Sequence, residues 1–257
     1  MALVQFGSLS FDADLVAFDK DGTLIDLDLW GPVAEAWVES LTPNPADGEL
    51  RQELYRSIGY DPRRHWIDPQ SPLAMASSVQ IQTIAAATLY RFGVPWAEAE
   101  ERARLGMQAG ATVALPSLVR PAGDVTRLIG QLKEAGVGVA IVTSDDREVT
   151  EQMLQLIHIA HLVDHLVCGD DGILPKPAPD MLLATLQRLG IEAARTAVVG
   201  DTVADLVMAQ RAGAGLRVAV LTGGGGRALL SNHADVVLGS IDEIAVVGPS
   251  REGTDPA

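Results

Sequence analysis

The 257-residue chain is predicted to adopt an α/β fold, in which helices cover a doubly wound, Rossmann-like parallel sheet. Hydrophobic residues make up 47% of the chain and aromatic residues only 4%. Its core must therefore consist mainly of Val, Leu, Ile and Ala, which is typical of buried parallel strands. Short apolar runs alternate with helical patterns through the second half, and one long helical stretch interrupts this alternation. That interruption predicts a helical cap domain inserted after the first strand.

Six short apolar runs, each bounded by Asp or Gly, predict the strands of the sheet. They lie at 15–18, 137–143, 165–168, 196–199, 216–221 and 235–238. The helical patterns between them lie at about 123–135, 146–158, 179–190 and 203–212. This alternation of strand and helix is the main sequence signal for a doubly wound sheet.

The interrupting segment contains no strand-like run. Ala, Glu, Leu and Arg recur in it at helical spacing, around 31–41, 48–58, 73–92 and 95–111. It closes at a stretch containing prolines and a glycine, which suits a linker. We therefore expect residues 1–26 and 120–247 to form the α/β core domain, 27–119 the cap domain, and 248–257 a flexible tail.

Composition excludes several classes of function. The net charge is −15, with 34 acidic and 19 basic residues, which argues against nucleic acid as a partner. Cys168 is the single cysteine, so neither an intramolecular disulfide nor a thiolate zinc cluster is expected. With no signal-peptide pattern and no long uncharged apolar run, we expect no membrane association and a cytoplasmic protein, either a monomer or a homodimer.

Two aspartates follow the first predicted strand directly, in the segment Asp19-Lys20-Asp21-Gly22-Thr23. Open α/β sheets bind their ligands at the carboxyl ends of strands, and side chains two residues apart in an extended chain point the same way. One carboxylate is therefore placed to act as a nucleophile and the other as an acid/base. Taken alone, the segment is equally compatible with a simple turn at a strand end.

Later strand ends carry further polar groups. The strand at 137–143 ends in Thr143, followed by Ser144, and these two residues are candidates for holding phosphate oxygens. Lys176 lies in a proline-flanked loop, where the prolines reduce the entropy cost of directing its ammonium group inward. Each signal is ambiguous alone, because polar strand ends and loop lysines are common.

Asp201 and Asp205 follow the strand at 196–199, about one helical turn apart. Mg²⁺ prefers hard oxygen ligands, so Asp19, Asp201 and a backbone carbonyl are candidate ligands, with Asp205 behind them. Mg²⁺ is accordingly the predicted cofactor. The alternative for this segment is a strand followed by a helix N-cap.

In this order, the four segments resemble the four motifs of the haloacid dehalogenase superfamily of phosphohydrolases. The resemblance covers residues 13–26 and about 120–240, and the helical insertion resembles the cap of the phosphoglycolate-phosphatase-like branch. It implies the following roles: Asp19 as nucleophile, Asp21 as general acid/base and, through its backbone carbonyl, a metal ligand, Thr143 as the phosphate-binding hydroxyl, Lys176 as the charge-stabilising lysine, and Asp201 as a Mg²⁺ ligand.

The activity that this resemblance implies is Mg²⁺-dependent hydrolysis of a small phosphate monoester, phosphoglycolate-like or sugar-phosphate-like, through an aspartyl-phosphate. A phosphomutase of the same family would use the same residues and is the alternative. A haloacid dehalogenase is less favoured, because attack on carbon does not need the acid that Asp21 supplies. A non-catalytic binding module would not need both aspartates.

Lys20 departs from the hydrophobic residue more often found between the two aspartates in that family. We expect its side chain to point away from the carboxylates, with its ammonium group exposed. In the predicted cap, Arg63, Arg64 and His65 precede Trp66 and are candidates for substrate binding. The alternative is a solvated loop in which Trp66 anchors the cap helices.

Two other patterns are assigned no ligand. His158, His161 and His165 lack a carboxylate or cysteine at a ligand spacing. The run Gly223–Gly226 lacks the Lys-Ser/Thr ending of a P-loop, so we expect a flexible loop there.

Overall fold

Three strands begin the chain in the computed structural model, which describes residues 2–68, 70–110 and 115–249. They are β1 (Ala2–Phe6), β2 (Leu9–Ala13) and β3 (Leu15–Phe18). Along β1, buried and half-buried residues alternate, as in a strand with one face on the core. All four residues of β3 are buried, as in the centre of a parallel sheet.

The segment after β3 is mostly helical. Its elements are α1 (Trp30–Leu41), α2 (Gly48–Ile58), β4 (Tyr60–Asp61), β5 (Trp66–Ile67), α3 (Pro72–Met75), α4 (Ser78–Arg91), α5 (Trp96–Gly110) and α6 (Leu115–Leu118). Helices α1, α2, α4 and α5 bury a hydrophobic cluster of their own, which includes Trp37, Leu54 and Leu89.

Two details of this segment differ from the prediction. The strands β4 and β5 pair antiparallel in a region where no strand was expected. The helix expected at 73–92 is divided into α3 and α4, because Ala76 and Ser77 are extended. Ser77 then caps α4, since its hydroxyl accepts from the Gln80 N–H while the Gln80 side chain accepts from the Ser77 N–H.

Strand and helix alternate through the second half, as predicted. The elements are α7 (Val125–Glu134), β6 (Gly138–Val142), α8 (Arg147–Leu156), β7 (His165–Val167), α9 (Asp180–Leu189), β8 (Thr196–Gly200), α10 (Val203–Ala212), β9 (Leu216–Val220), α11 (Arg227–Leu230), β10 (Val236–Leu238) and β11 (Ile244–Pro249). Single 3₁₀ turns lie at Leu27–Leu29, Pro45–Asp47, Ala160–Leu162, Ala193–Arg195 and Ile241–Glu243.

All six predicted strands belong to one parallel sheet in the order β10-β9-β8-β3-β6-β7. Strand β3 pairs with β6 on one side and with β8 on the other. The strand order therefore reverses at β3, and open α/β sheets bind ligands in the crevice that such a reversal creates. The predicted doubly wound α/β fold is confirmed.

A second sheet was not predicted. Strands β11, β1 and β2 form an antiparallel sheet in that order. The helical segment consequently follows the third strand of the chain, which is the first strand of the parallel sheet. Gly248 and Pro249 belong to β11, so the tail predicted from 248 cannot begin there, and 250–257 lie outside the described residues.

The longest helix in the described ranges is α5, with 15 residues. Across these ranges, no helix has both the length and the apolar character needed to span a bilayer.

Candidate active site

A cavity lies between the carboxyl ends of the parallel strands and the helical segment. From the sheet side it is lined by residues of the four segments that follow β3, β6, β7 and β8: Asp19, Asp21, Thr143, Ser144, Asp145, Lys176, Thr202, Ala204 and Asp205. Its volume is about 90 Å³, several times the space that one water molecule needs. The structure therefore brings together site candidates that lie far apart in the sequence.

Asp19 is held at the end of β3, the strand where the sheet order reverses. Its N–H donates to the carbonyl of Val199 on β8 over 2.9 Å, and its side chain lines the cavity. Lys176 Nζ lies 2.6 Å from Asp19 Oδ1 and 2.7 Å from Asp205 Oδ1. One buried ammonium group thus bridges two carboxylates from neighbouring strands.

Asp201 lies behind the cavity wall and is 1% exposed. Thr23 Oγ1 donates to its Oδ1 over 3.2 Å, and the Gly224 N–H donates to its Oδ2 over 2.8 Å. A Cβ atom at Gly22 would lie 2.5 Å from Asp201 Oδ2, and one at Gly223 would lie 2.0 Å from it. Both glycines are therefore required for the close approach of two loops to this carboxylate.

That contact changes the interpretation of the glycine run. The loop Gly223–Gly226 packs on Asp201 and supplies an N–H donor to it. The sequence pattern gave no sign of this partner, because Asp201 is more than 20 residues away along the chain. Thr202 is the N-cap of α10, as the alternative for this segment predicted: its hydroxyl contacts Asp205 Oδ2 at 2.5 Å in a capping box.

The buried carboxylates repel one another. Burial, together with the charges of Asp205 and Asp21, raises the pKa of Asp19 to about 6 against the opposing effect of Lys176. Burial and then the charges of Asp19 and Asp205 raise the pKa of Asp201 well above its ordinary value. Although burial alone would lower the pKa of Lys176, those carboxylates raise it above that of a free lysine. The carboxylates therefore favour the charged form of Lys176.

The carboxylates fit a divalent cation. Oxygen atoms of Asp19, Asp201 and Asp205 all lie within 4.8 Å of one another, and all three residues are buried. Three buried carboxylates face one ammonium group, Lys176 Nζ, so a site that is to accept an anionic phosphate needs further positive charge. Buried carboxylate oxygens grouped in this way suit a hard divalent cation. The Asp21 side chain is not part of this cluster.

Mg²⁺ is expected to raise the melting temperature of the metal-free protein more at about pH 7.5 than at about pH 5. The pKa of Asp19, about 6, is higher in the folded chain than the 3.8 of an ordinary aspartate. The ionised Asp19 carboxylate therefore lowers the free energy of unfolding above pH 6, and this destabilisation is lost as the pH falls. A cation relieves that cost where the carboxylates are ionised, whereas protons compete with it at lower pH.

At a hundred times its dissociation constant, the ion adds about 2.7 kcal/mol, which for a chain of this size is roughly 5–10 °C. Thermal scans at constant ionic strength measure the effect, and Asp201→Asn is the control that weakens it. Equal shifts at both pH values would contradict the prediction.

Lys20 lies where it was not expected. It is fully buried, and its Nζ lies 2.7 Å from the Asp21 carboxylate and 3.0 Å from Asp145 Oδ2. The ammonium group also lies 5.5 Å from the ring centroid of Trp30. The prediction of an exposed ammonium group pointing away from the carboxylates was wrong. Because the chain turns immediately after Asp19, the alternation of an extended strand no longer applies at Lys20.

Thr143 and Ser144 both line the cavity. The Thr143 hydroxyl oxygen accepts from the Asp145 N–H over 3.2 Å, which leaves its hydrogen able to donate. The side chains of Asp145 and Asp21 share Lys20, and burial raises the pKa of Asp145 although Lys20 opposes the shift.

The cap candidates lie elsewhere. Arg63, Arg64 and His65 are exposed and are not among the residues that line the cavity. The His65 ring lies 3.4 Å from the Tyr60 hydroxyl, and the Arg64 guanidinium lies 6.0 Å from the ring centroid of Trp66. Trp66 is itself 48% exposed, so it does not anchor the cap helices. Substrate binding by these three residues stays a prediction that the geometry of the cavity does not favour.

Known proteins resemble this chain in sequence and in fold. A family model described as haloacid dehalogenase-like hydrolase matches residues 13–213. "Probable phosphatase IndB" of Dickeya dadantii is 32% identical over 200 residues, which are 77% of each chain. A phosphoglycolate phosphatase of Pectobacterium atrosepticum is 30% identical over 234 residues, 89% of each chain.

A solved structure supports the fold. The crystal structure of a HAD family hydrolase from Deinococcus radiodurans, with bound phosphate and sodium, superposes with a TM-score of 0.60 at 24% identity. The match covers 90% of this chain and 93% of that one. Because the family model and these relatives match most of its length, the chain belongs to the haloacid dehalogenase-like hydrolase family and resembles its phosphoglycolate-phosphatase-like members.

Proposed function

We propose that the protein is a Mg²⁺-dependent phosphatase that hydrolyses a small phosphate monoester through an aspartyl-phosphate on Asp19. The observation that carries this proposal is the buried pair of Asp19 and Lys176, 2.6 Å apart at the cavity floor. Nearby lies the carboxylate cluster of Asp201 and Asp205. This arrangement supports Asp19 as the nucleophile, with positive charge beside it where the sheet order reverses.

In the first step, an Asp19 carboxylate oxygen attacks phosphorus, so that a new P–O bond forms while the bond to the leaving oxygen breaks. Asp21, which lines the same cavity, gives its proton to the leaving alkoxide. Lys176 and the Thr143 hydroxyl stabilise the phosphoryl oxygens. The products are a free alcohol and phosphorylated Asp19.

In the second step, Asp21, now a carboxylate, takes a proton from a water molecule that attacks phosphorus. The P–O bond to Asp19 breaks, inorganic phosphate leaves and both aspartates return to their starting forms. Lys20 lies 2.7 Å from the Asp21 carboxylate, which holds it at the cavity edge as an acceptor.

Asp19 and Asp201, with the backbone carbonyl of Asp21, would hold the metal, and Asp205 would support them through Lys176. Bound there, Mg²⁺ supplies positive charge that offsets the charge on the transferring phosphoryl group.

The names of the relatives suggest phosphoglycolate or a similar small ester as substrate, and a sugar phosphate is the family-based alternative. A phosphomutase would need to hold a second phosphate against the cap. The cap side of the described cavity offers no cationic side chain for that phosphate, so hydrolysis is the better proposal.

Hydrolysis of an aryl phosphate with Mg²⁺ tests the proposal. We expect activity that EDTA abolishes and that excess Mg²⁺ restores. A protein that retains the melting temperature of the folded enzyme but releases no phosphate from a broad panel of esters would overturn it.

A further inference from the structure

The cap side of the cavity is apolar. The residues that face the catalytic groups from the helical segment include Trp30, Val33, Trp37, Leu73, Met75 and Ile81. Two polar groups belong to this lining: the Ser78 side chain, which hydrogen-bonds to Asp146, and the buried Trp37 Nε1, which has no hydrogen-bond partner among the described residues. A group that enters this half of the cavity meets hydrocarbon and aromatic surface.

No charged side chain lines the cap side of the described cavity. Within the cap, the residues outside the described ranges are Pro69 and 111–114, and the sequence there is Pro and Ala-Thr-Val-Ala, without charge. The basic residues Arg63 and Arg64 are exposed outside the cavity. An anionic group beyond the phosphate would therefore lose its water and gain no cationic partner, which is strongly unfavourable.

The orientation of a bound ester follows from the positive charge. Lys176, at the sheet side, is the one basic residue among those that line the described cavity. The phosphate must therefore lie at the strand ends, and the rest of the ester must extend toward the cap. The cap lining then contacts the leaving group directly.

We infer that the substrate is a phosphate monoester with an uncharged, apolar leaving group, alkyl or aromatic, and that the enzyme disfavours esters with a carboxylate or a second phosphate. This inference rests on the proposed phosphatase function and narrows its substrate class. It makes phosphoglycolate a poor substrate for this enzyme, although several relatives carry that substrate in their names.

The test compares kcat/KM with Mg²⁺ across n-alkyl phosphates from methyl to pentyl. Leaving-group acidity changes little along this series, so the values report burial in the cavity. We expect a rise of about fourfold for each methylene until the cavity is filled, the equivalent of about 0.8 kcal/mol.

A shape-matched pair tests the charge directly. Isobutyl phosphate and 2-phosphoglycolate differ in that two methyl groups replace two carboxylate oxygens. We expect kcat/KM to be about 100-fold higher for isobutyl phosphate, because the carboxylate would be buried without a partner.

Variants of Met75 test whether the apolar cap lining of the cavity causes the preference for apolar leaving groups. Met75 lines the cavity and is 38% exposed, so it tolerates polar substitution. Met75→Gln is expected to lower kcat/KM for pentyl phosphate about fivefold more than that for methyl phosphate. Met75→Arg is expected to raise kcat/KM for 2-phosphoglycolate about tenfold. Leu105, 47% exposed and outside the cavity, is the matched control, and Leu105→Gln and Leu105→Arg should change neither value.

The possible failures are distinct. If no ester is hydrolysed, methyl phosphate included, the proposed function fails. If methyl phosphate is hydrolysed but 2-phosphoglycolate equals or exceeds isobutyl phosphate, the apolar leaving-group inference alone is overturned. A flat alkyl series, or equal effects of the Met75 and Leu105 variants, would overturn it as well.

Discussion

Replacing Asp19 with asparagine is expected to lower kcat at least about 10⁴-fold for every phosphate ester that the enzyme hydrolyses. Asparagine keeps the shape of the side chain, but its amide cannot act as the nucleophile that becomes phosphorylated. Acid quenching during turnover, followed by peptide mass spectrometry, should find phosphate on the peptide that contains Asp19 in the wild type and not in the variant. Asp12→Asn, on exposed β2, is the matched control and should keep full activity.

The same substitution is expected to stabilise the metal-free protein. Burial and neighbouring carboxylates raise the pKa of Asp19 to about 6, so its ionised form opposes folding above that pH. Asp19→Asn should raise the free energy of unfolding by roughly 1–3 kcal/mol at about pH 7.5, and the gain should fall to about half of that near pH 5. Urea titrations at the two pH values measure this difference. A large loss of both stability and activity would instead indicate that Asp19 has a structural role.

Apolar composition was enough to predict the parallel sheet. Its strands are buried on both faces, so they are continuous apolar runs that are visible locally, as β3 and β8 illustrate. The antiparallel sheet was missed because β1 alternates buried with half-buried residues and β2 alternates half-buried with exposed ones, over only five residues each. Such a short alternating pattern predicts a strand reliably only when its partner strand is known, and the partner β11 lies at the other end of the described chain.

The site could be predicted only in part. Asp19, Thr143 and Lys176 each follow a strand or precede a helix, so their convergence followed from the topology of parallel sheets. The direction of the Lys20 side chain did not follow from that topology. Its carbonyl accepts from the N–H groups of Leu24 and Ile25, and this tight turn ends the two-residue periodicity on which the prediction depended. The partner Asp145, on another loop, has no local signal.

Lys20→Met is expected to cost about 3–5 kcal/mol of stability, the largest loss that we predict for a single substitution outside the hydrophobic core. Lys20 is fully buried, and its ammonium group lies between the carboxylates of Asp21 and Asp145. Removing it leaves two poorly solvated carboxylates without their shared cation. Chemical denaturation at about pH 7.5 measures the loss. Lys133→Met is the matched control: its partially exposed ion pair with Asp164 should contribute less than about 1 kcal/mol.

Combining Lys20→Met with Asp145→Asn separates the cost of an unpaired charge from that of lost packing. Asparagine keeps the shape of Asp145 and removes its charge, so the double variant should recover at least half of the lost stability. Methionine keeps an apolar side chain of similar length and removes the ammonium group, which lies beside Trp30 and Met153. If Lys20→Met is no worse than Lys133→Met, the buried ion pair contributes nothing net. If the double variant is as unstable as the single one, packing of the lysine stem, and not its charge, holds the two loops together.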